Sequence, residues 1–295
     1  MNSPVMARPH RVTTAILSAF TASDGDNLAL HDWPLPEGAL PRGMVVLVHG
    51  LGEHMGRYEK VARHLNDWGF AVRGYDQYGH GESGGPRGGL PSSTRLLDDL
   101  ADVVDSTRAH MGRQTPSIPL ILLGHSLGGL VVGRFVSLNM RPVDALVMSS
   151  PALDPGLNGF QKLLLATLPK IAPNLRVGNG LDVQFTSHDP AMVAAYRADP
   201  LVHDRISARL ALFIAEAGPA TLAQAPRWCV PTLLMYAGQD KLVNRAGSRA
   251  FATASPKQVL TSNCFEGLYH ELFNEQAPEP VFAMLKDWLD QRFPA

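Results

Sequence analysis

The chain has 295 residues, 45% hydrophobic and 18% charged, with a formal charge of −1. This is too apolar for a disordered chain and enough for a sizeable core. The near-neutral charge supplies no global field for nucleic acid, so no nucleic-acid partner is expected. Cys229 and Cys264 are too few for a disulfide framework or a cysteine-rich zinc site and read as reduced thiols.

Arg8 and Arg11 precede a six-residue apolar run, Ala15-Ile16-Leu17-Ser18-Ala19-Phe20, followed by the turn Asp24-Gly25-Asp26-Asn27. The run is shorter than a secretory apolar core, so it reads as a first strand behind a flexible N-terminus at 1–12, and a cytoplasmic location is expected. Continuous apolar runs follow at 44–48, 70–75, 119–123, 145–150 and 232–236. Unbroken rather than alternating runs are the pattern of parallel strands covered on both faces. Helical patterns fall at 58–68, 92–110, 129–138 and 280–292, the last with Val281, Leu285, Trp288 and Leu289 on one stripe. The alternation predicts an α/β fold with a mostly parallel central sheet flanked by helices.

Between Ala152 and Pro226 the alternation breaks. No convincing strand is visible there, and helical pieces are separated by Pro and Gly. One starts at Asp189-Pro190, with Asp as cap and Pro in the first turn. Phe160, Leu163, Leu164, Leu168 and Ile171 recur at helical spacing. The expectation is a helical cap at 152–226, inserted into a core formed by 13–151 and 227–295.

Gly124-His125-Ser126-Leu127-Gly128 is a G-x-S-x-G pattern, entered by an apolar strand and left by a helix. That setting strains Ser126 onto the tip of a turn, with its hydroxyl exposed and the Leu127 N–H facing the same point. A serine hydroxyl needs a base held by a carboxylate, and the partners should follow in the order acid, then His. Asp240 follows the run at 232–236, and His270 precedes the terminal helix. The candidate catalytic residues are therefore Ser126 as nucleophile, His270 as base and Asp240 as its orienting acid. Asp154 is a rival acid and His203 a rival base. The loop His49-Gly50-Leu51-Gly52 follows the run at 44–48, making the Leu51 N–H a candidate partner for Leu127 in an oxyanion hole.

Gly79-His80-Gly81-Glu82-Ser83-Gly84 is a literal G-x-G-x-x-G, but Gly85-Pro86-Arg87-Gly88-Gly89 follows where a dinucleotide fold would start a helix. It reads as a rigid loop. The chain has 11 histidines but no H-E-x-x-H, and neither a metal nor any other cofactor is implied.

The segments His49-Gly50-Leu51-Gly52-Glu53-His54 with Arg57-Tyr58, Asp76-Gln77-Tyr78-Gly79-His80-Gly81-Glu82-Ser83 with Gly85-Pro86-Arg87-Gly88, and Gly124-His125-Ser126-Leu127-Gly128-Gly129 together resemble the monoacylglycerol lipase family of α/β-hydrolases. The resemblance runs from Thr13 onward and departs at Gln77-Tyr78, where many relatives carry an Arg or similar residue. It implies a cofactor-free serine hydrolase of monoacylglycerol, lysophospholipid or another simple ester, with a helical cap. Leu163, Leu164, Leu165 and Leu168 would then line an acyl pocket, meet a membrane or micelle surface transiently, or simply pack the cap on the core. A short-chain carboxylesterase, an acyltransferase and a non-catalytic ligand-binding module are the alternatives. A proline-type aminopeptidase is disfavoured, because the motif loops hold no acidic cluster for a free amine.

Overall fold

Each continuous apolar run becomes a strand of one sheet, because an unbroken Val, Leu and Met segment needs cover on both faces. The computed structural model describes residues 15–112, 118–156 and 159–294, so the N-terminal segment at 1–12 lies outside the described residues. β1 (Ile16–Thr21) and β2 (Asn27–Trp33) form a hairpin around the predicted turn. β3 (Gly43–Val48), α1 (Glu59–Asp67), β4 (Phe70–Tyr75), α2 (Arg95–Gly112), β5 (Leu120–His125), α3 (Leu127–Ser137) and β6 (Ala145–Ser149) then alternate. An insertion carries α4 (Gly159–Ile171), β7 (Arg176–Gly178), α5 (Pro190–Ala198), β8 (Arg205–Ser207) and α6 (Ala208–Gln224). The chain returns through β9 (Thr232–Ala237), α7 (Ala246–Ala254), β10 (Leu260–Phe265) and α8 (Glu279–Arg292).

The eight-stranded sheet has the order β1-β2-β4-β3-β5-β6-β9-β10. β2 runs antiparallel to both its neighbours and every other pairing is parallel. Alternate strand residues feed two core layers, as the period of two requires. Val46, Val48, Leu122 and Met148 pack under α2, α3 and α6, while Val45, Leu47, Leu123 and Val147 pack under α1 and α8. The predicted stripe of α8 is buried in the second layer.

The insertion differs from its reading as purely helical. β7 and β8 pair antiparallel, Arg176 opposite Ser207 and Gly178 opposite Arg205. These strands are three residues long and mostly solvent-facing, so they carry no apolar run to read. α5 starts at Pro190, with the Asp189 carboxylate accepting the Ala191 N–H at 2.9 Å. α6 packs on α3 and buries Leu210, Phe213 and Ala217 in the layer that also holds α2. β10 and α7 carry no continuous apolar signal either, since the edge strand Leu-Thr-Ser-Asn-Cys-Phe is only partly buried. The side chains of Phe160, Leu163 and Leu164 lie outside the described residues.

The C-terminal ends of β3 to β6, β9 and β10 open onto one edge of the sheet, where loops of an open α/β sheet gather to form sites. α3 crosses tightly over that edge. A Cβ on Gly128 would overlap the Val48 carbonyl oxygen, and one on Gly124 would overlap the Gly128 carbonyl oxygen. Backbone meets backbone here, and a methyl group has nowhere to go. Gly128→Ala is therefore expected to destabilise the protein by at least ~2 kcal/mol, read as a lowered urea midpoint with an unchanged slope.

Candidate active site

Ser126 stands between β5 and α3 at φ 54° and ψ −117°, a conformation that costs a non-glycine residue strain. Hydrogen bonds on both sides hold it there. Its N–H donates to the Ser149 carbonyl at 3.0 Å, and its carbonyl accepts the N–H groups of Leu130 and Ala152, each at 3.0 Å. Leu127 opens α3, so its N–H has no acceptor within the helix and sits at the positive end of the dipole. Leu51, Ser126 and Leu127 line one cavity of about 350 Å³.

His270 and Asp240 meet directly, with Nδ1 and Asp240 Oδ2 at 2.7 Å. The other Asp240 oxygen accepts the N–H groups of Leu242 and Val243, each at 2.9 Å, which fixes the carboxylate. Burial opposes protonation of His270, but the adjacent Asp240 outweighs it and the imidazole pKa is raised. The same contact keeps Asp240 below the usual carboxylate range despite its burial. The ring of His125, the residue before Ser126, lies 4.7 Å from that of His270. Burial, reinforced by His270, drives His125 down to about 4, so it is neutral at neutral pH.

The rival residues have other partners. Asp154 lines the cavity, but its two oxygens accept from Asn244 Nδ2 at 2.7 Å and the Gly156 N–H at 2.9 Å. His203 lies under the loop at 49–52, where its N–H donates to the Gly52 carbonyl at 2.9 Å and its ring is 4.8 Å from His80. Among the described residues, no group of three or more His, Cys, Asp or Glu side chains is gathered as a metal site.

Sequence reasoning assigned no role to the network beneath this loop. Glu53 Oε1 accepts the Gly50 N–H at 2.6 Å and the Tyr58 hydroxyl at 2.7 Å. Arg57 donates to the other Glu53 oxygen and forks onto both oxygens of Glu271, at 2.9 and 2.7 Å. Burial would raise the Glu53 carboxyl, but Arg57, together with His125, His49 and the Tyr58 hydroxyl, outweighs it and holds the group down to about 2. The sequence hints at it only through the place of Glu53 and Arg57-Tyr58 in the segment that carries the family resemblance, since an acid and a base four residues apart normally read as a solvated helix pair. Gln77 was also missed as a support: its N–H donates to His49 Nε2 at 2.9 Å and its Nε2 to the His49 carbonyl at 2.7 Å. With Nε2 accepting, the ring proton of a neutral His49 is on Nδ1, 2.7 Å from the Gly50 carbonyl.

A hydrolase family model described as serine aminopeptidase, S33 matches residues 39–277. A monoacylglycerol lipase of Mycolicibacterium smegmatis is 36% identical over 84% of this chain and 88% of its own length. A phospholipase of Bacillus subtilis is 30% identical over 85% of this chain and 96% of its own. The crystal structure of a Paleococcus ferrophilus monoacylglycerol lipase superposes with a TM-score of 0.79 at 35% identity, covering 90% of this chain and 99% of that one. The strand order, the strained serine at a strand-to-helix turn and these matches agree: the chain belongs to the serine aminopeptidase, S33 family and is a serine hydrolase of the α/β-hydrolase fold.

Proposed function

We propose that this chain hydrolyses monoacylglycerol, lysophospholipid or a similar simple lipid ester through an acyl-Ser126 intermediate. The observation that carries this reading is the cavity beside Ser126, walled by Leu165, Leu168, Leu175, Val177, Ile206 and Ile214. An apolar chain entering it gains roughly 0.8 kcal/mol per buried methylene. The names of the M. smegmatis and B. subtilis relatives support the same substrate class. The family description names an aminopeptidase, but a free amine would want an uncommitted carboxylate. The lining acid, Asp154, is already occupied by Asn244 and Gly156.

In this reading His270 Nε2 removes the Ser126 proton as Oγ attacks the ester carbonyl. The resulting oxyanion is held by the Leu51 and Leu127 N–H groups. His270 then protonates the leaving alcohol, and water cleaves the acyl-enzyme by the reverse route. Asp240 steadies the imidazolium in both steps. Residues 152–226 serve as the cap over the acyl chain, as supported by the placement of α4, β7 and β8 in the cavity wall. Contact with a lipid surface belongs to the same proposal. Ile171 is 83% exposed, and Leu175 and Val177 are exposed beside it in the insertion. Among the described residues no helix is long and apolar enough to cross a membrane. A cytoplasmic setting is proposed on the two free thiols, Cys229 and Cys264.

A hydrolysis panel of monoacylglycerols and lysophospholipids across chain length, with and without micelles, tests this function. Rates are expected to rise with chain length, and Ser126→Ala is expected to lower them about 10⁴- to 10⁶-fold. A flat response to chain length points to a general esterase, and near wild-type activity in Ser126→Ala removes the mechanism.

The pH dependence follows from His270, which must be neutral to accept the serine proton. Because its folded pKa is raised, kcat/KM should fall as pH drops, with the midpoint above the ordinary histidine value of 6.5. Asp240→Asn should move that midpoint down while lowering kcat about 10⁴-fold. A wild-type midpoint below the ordinary value means that burial, not Asp240, governs the ring.

Glu53→Ala frees the Gly50 N–H and leaves Arg57 with one carboxylate. The expected loss is about 10- to 10²-fold in kcat with little change in KM, since only the oxyanion contact is misaligned. Glu53→Gln, which keeps an acceptor for Gly50, should lose less. Steady-state kinetics on a short-chain ester distinguish the two.

A further inference from the structure

Among the described residues, the cavity wall beside Ser126 is apolar apart from four polar side chains: Ser126, Asp154, Asn179 and Ser207. Three of these are committed. Ser126 is the proposed nucleophile, Asp154 is held by Asn244 and Gly156, and Ser207 Oγ accepts the Leu210 N–H at 3.2 Å as the cap of α6. Asn179 is different. Its Oδ1 accepts the Leu181 N–H at 3.0 Å, and since that partner is a donor, the orientation of the amide is settled. The Nδ2 end is left over and has no hydrogen bond to another described residue. It faces the oxyanion loop: a Cβ built on Gly52 would lie 3.6 Å from it. The backbone around it is anchored, with the Asn179 N–H donating to the Asp204 carbonyl at 2.6 Å directly after the β7–β8 pairing.

A fixed donor in an apolar cavity discriminates. A plain hydrocarbon that displaces its water leaves the N–H group unpartnered, whereas a substrate oxygen at that point restores the bond. Gly52 follows Leu51, whose N–H is proposed to hold the oxyanion, so the oxygen must lie close to the ester carbonyl. We propose that Asn179 is a specificity-determining residue whose Nδ2 donates to a hydroxyl oxygen of the substrate near the scissile ester. The hydroxyl is carried by the glycerol of a monoacylglycerol or by the first carbons of a hydroxylated acyl chain. The proposal rests on the ester-hydrolase reading above and adds to it a preference for a hydroxyl.

The test compares kcat/KM for octanoylglycerol, methyl octanoate and methyl 3-hydroxyoctanoate in wild type, Asn179→Asp and Asn179→Ala. Asn179→Asp keeps the acceptor for Leu181 and removes the donor. Asn179→Ala removes both, and loss of the donor should move the same ratio in each. The expected result is a loss of about tenfold on the hydroxyl-bearing ester, with methyl octanoate changed less than about twofold. Loss confined to octanoylglycerol places the hydroxyl on the alcohol, and loss confined to the 3-hydroxyacyl ester places it on the acyl chain. Unchanged ratios, or an equal fall on all three esters in both variants, overturn the proposal while leaving the hydrolase reading intact. A wild type that cleaves none of the three overturns the hydrolase reading and the proposal together.

Discussion

Arg57 is the ion on which the arrangement of the site rests. Its side chain is 8% exposed and bridges two buried carboxylates, Glu53 and Glu271, that would repel one another without it. Such a buried triad adds little net stability, because removing three charges from water is costly, but losing one member leaves the others uncompensated. What it supplies here is position. Glu53 holds the Gly50 N–H, while Glu271 adjoins His270 and accepts from Asn274 Nδ2 at 2.8 Å. One planar guanidinium therefore sets the distance between the loop of Leu51 and the loop of His270. The ring of Tyr196, from α5, lies 4.4 Å from the guanidinium carbon and closes the site over it.

A second set of bonds carries this order outward to the edge of the sheet. Asp76 accepts the N–H groups of Met55 at 2.7 Å and Glu82 at 2.8 Å, which ties the loop after β3 to the glycine-rich loop. Its carboxyl lies far below the usual range because these bonds, His31 and His49 together outweigh burial. The Gly84 N–H donates to the Asn27 carbonyl at 2.9 Å, and Ser83 Oγ accepts the Ala29 N–H at 2.8 Å. The G-x-G-x-x-G run thus spans the gap between the β1–β2 hairpin and the site, with the N–H groups of Gly79, His80, Glu82, Ser83 and Gly84 bonded inside the protein. Gln77, where the sequence departs from many relatives of the resembled family, is part of this brace through His49.

The insertion is seated on the same two loops. The His203 N–H meets Gly52, the His54 ring nitrogen Nε2 meets Asp199 at 2.8 Å, and the Ser207 N–H donates to the Gly88 carbonyl at 2.8 Å. The cavity wall proposed to hold the acyl chain and the loop proposed to stabilise the oxyanion are therefore one bonded unit. Asn179 lies at their junction. Its backbone is anchored in the insertion and its free amide hydrogens face the loop.

Strands, flanking helices and the place of the insertion were legible because apolar runs and helical stripes report burial directly. Ser126, Asp240 and His270 stood out because a strand-to-helix turn and strand ends mark where such groups collect, although Asp154 and His203 remained open rivals. Only the folded chain sets His270 against Asp240, a contact that spans 30 residues and leaves no local pattern. β7, β8 and β10 were illegible for a simpler reason: short, partly exposed strands bury too little to impose periodicity. The ion triad was hidden because Glu53, Arg57 and Glu271 look like surface charges until long-range packing removes their water. The sequence by itself determined which segments must be covered and where a strained serine could sit. Tertiary structure decided which charges are buried together and which amide is left facing the cavity, because burial and partner choice depend on residues far apart in the chain.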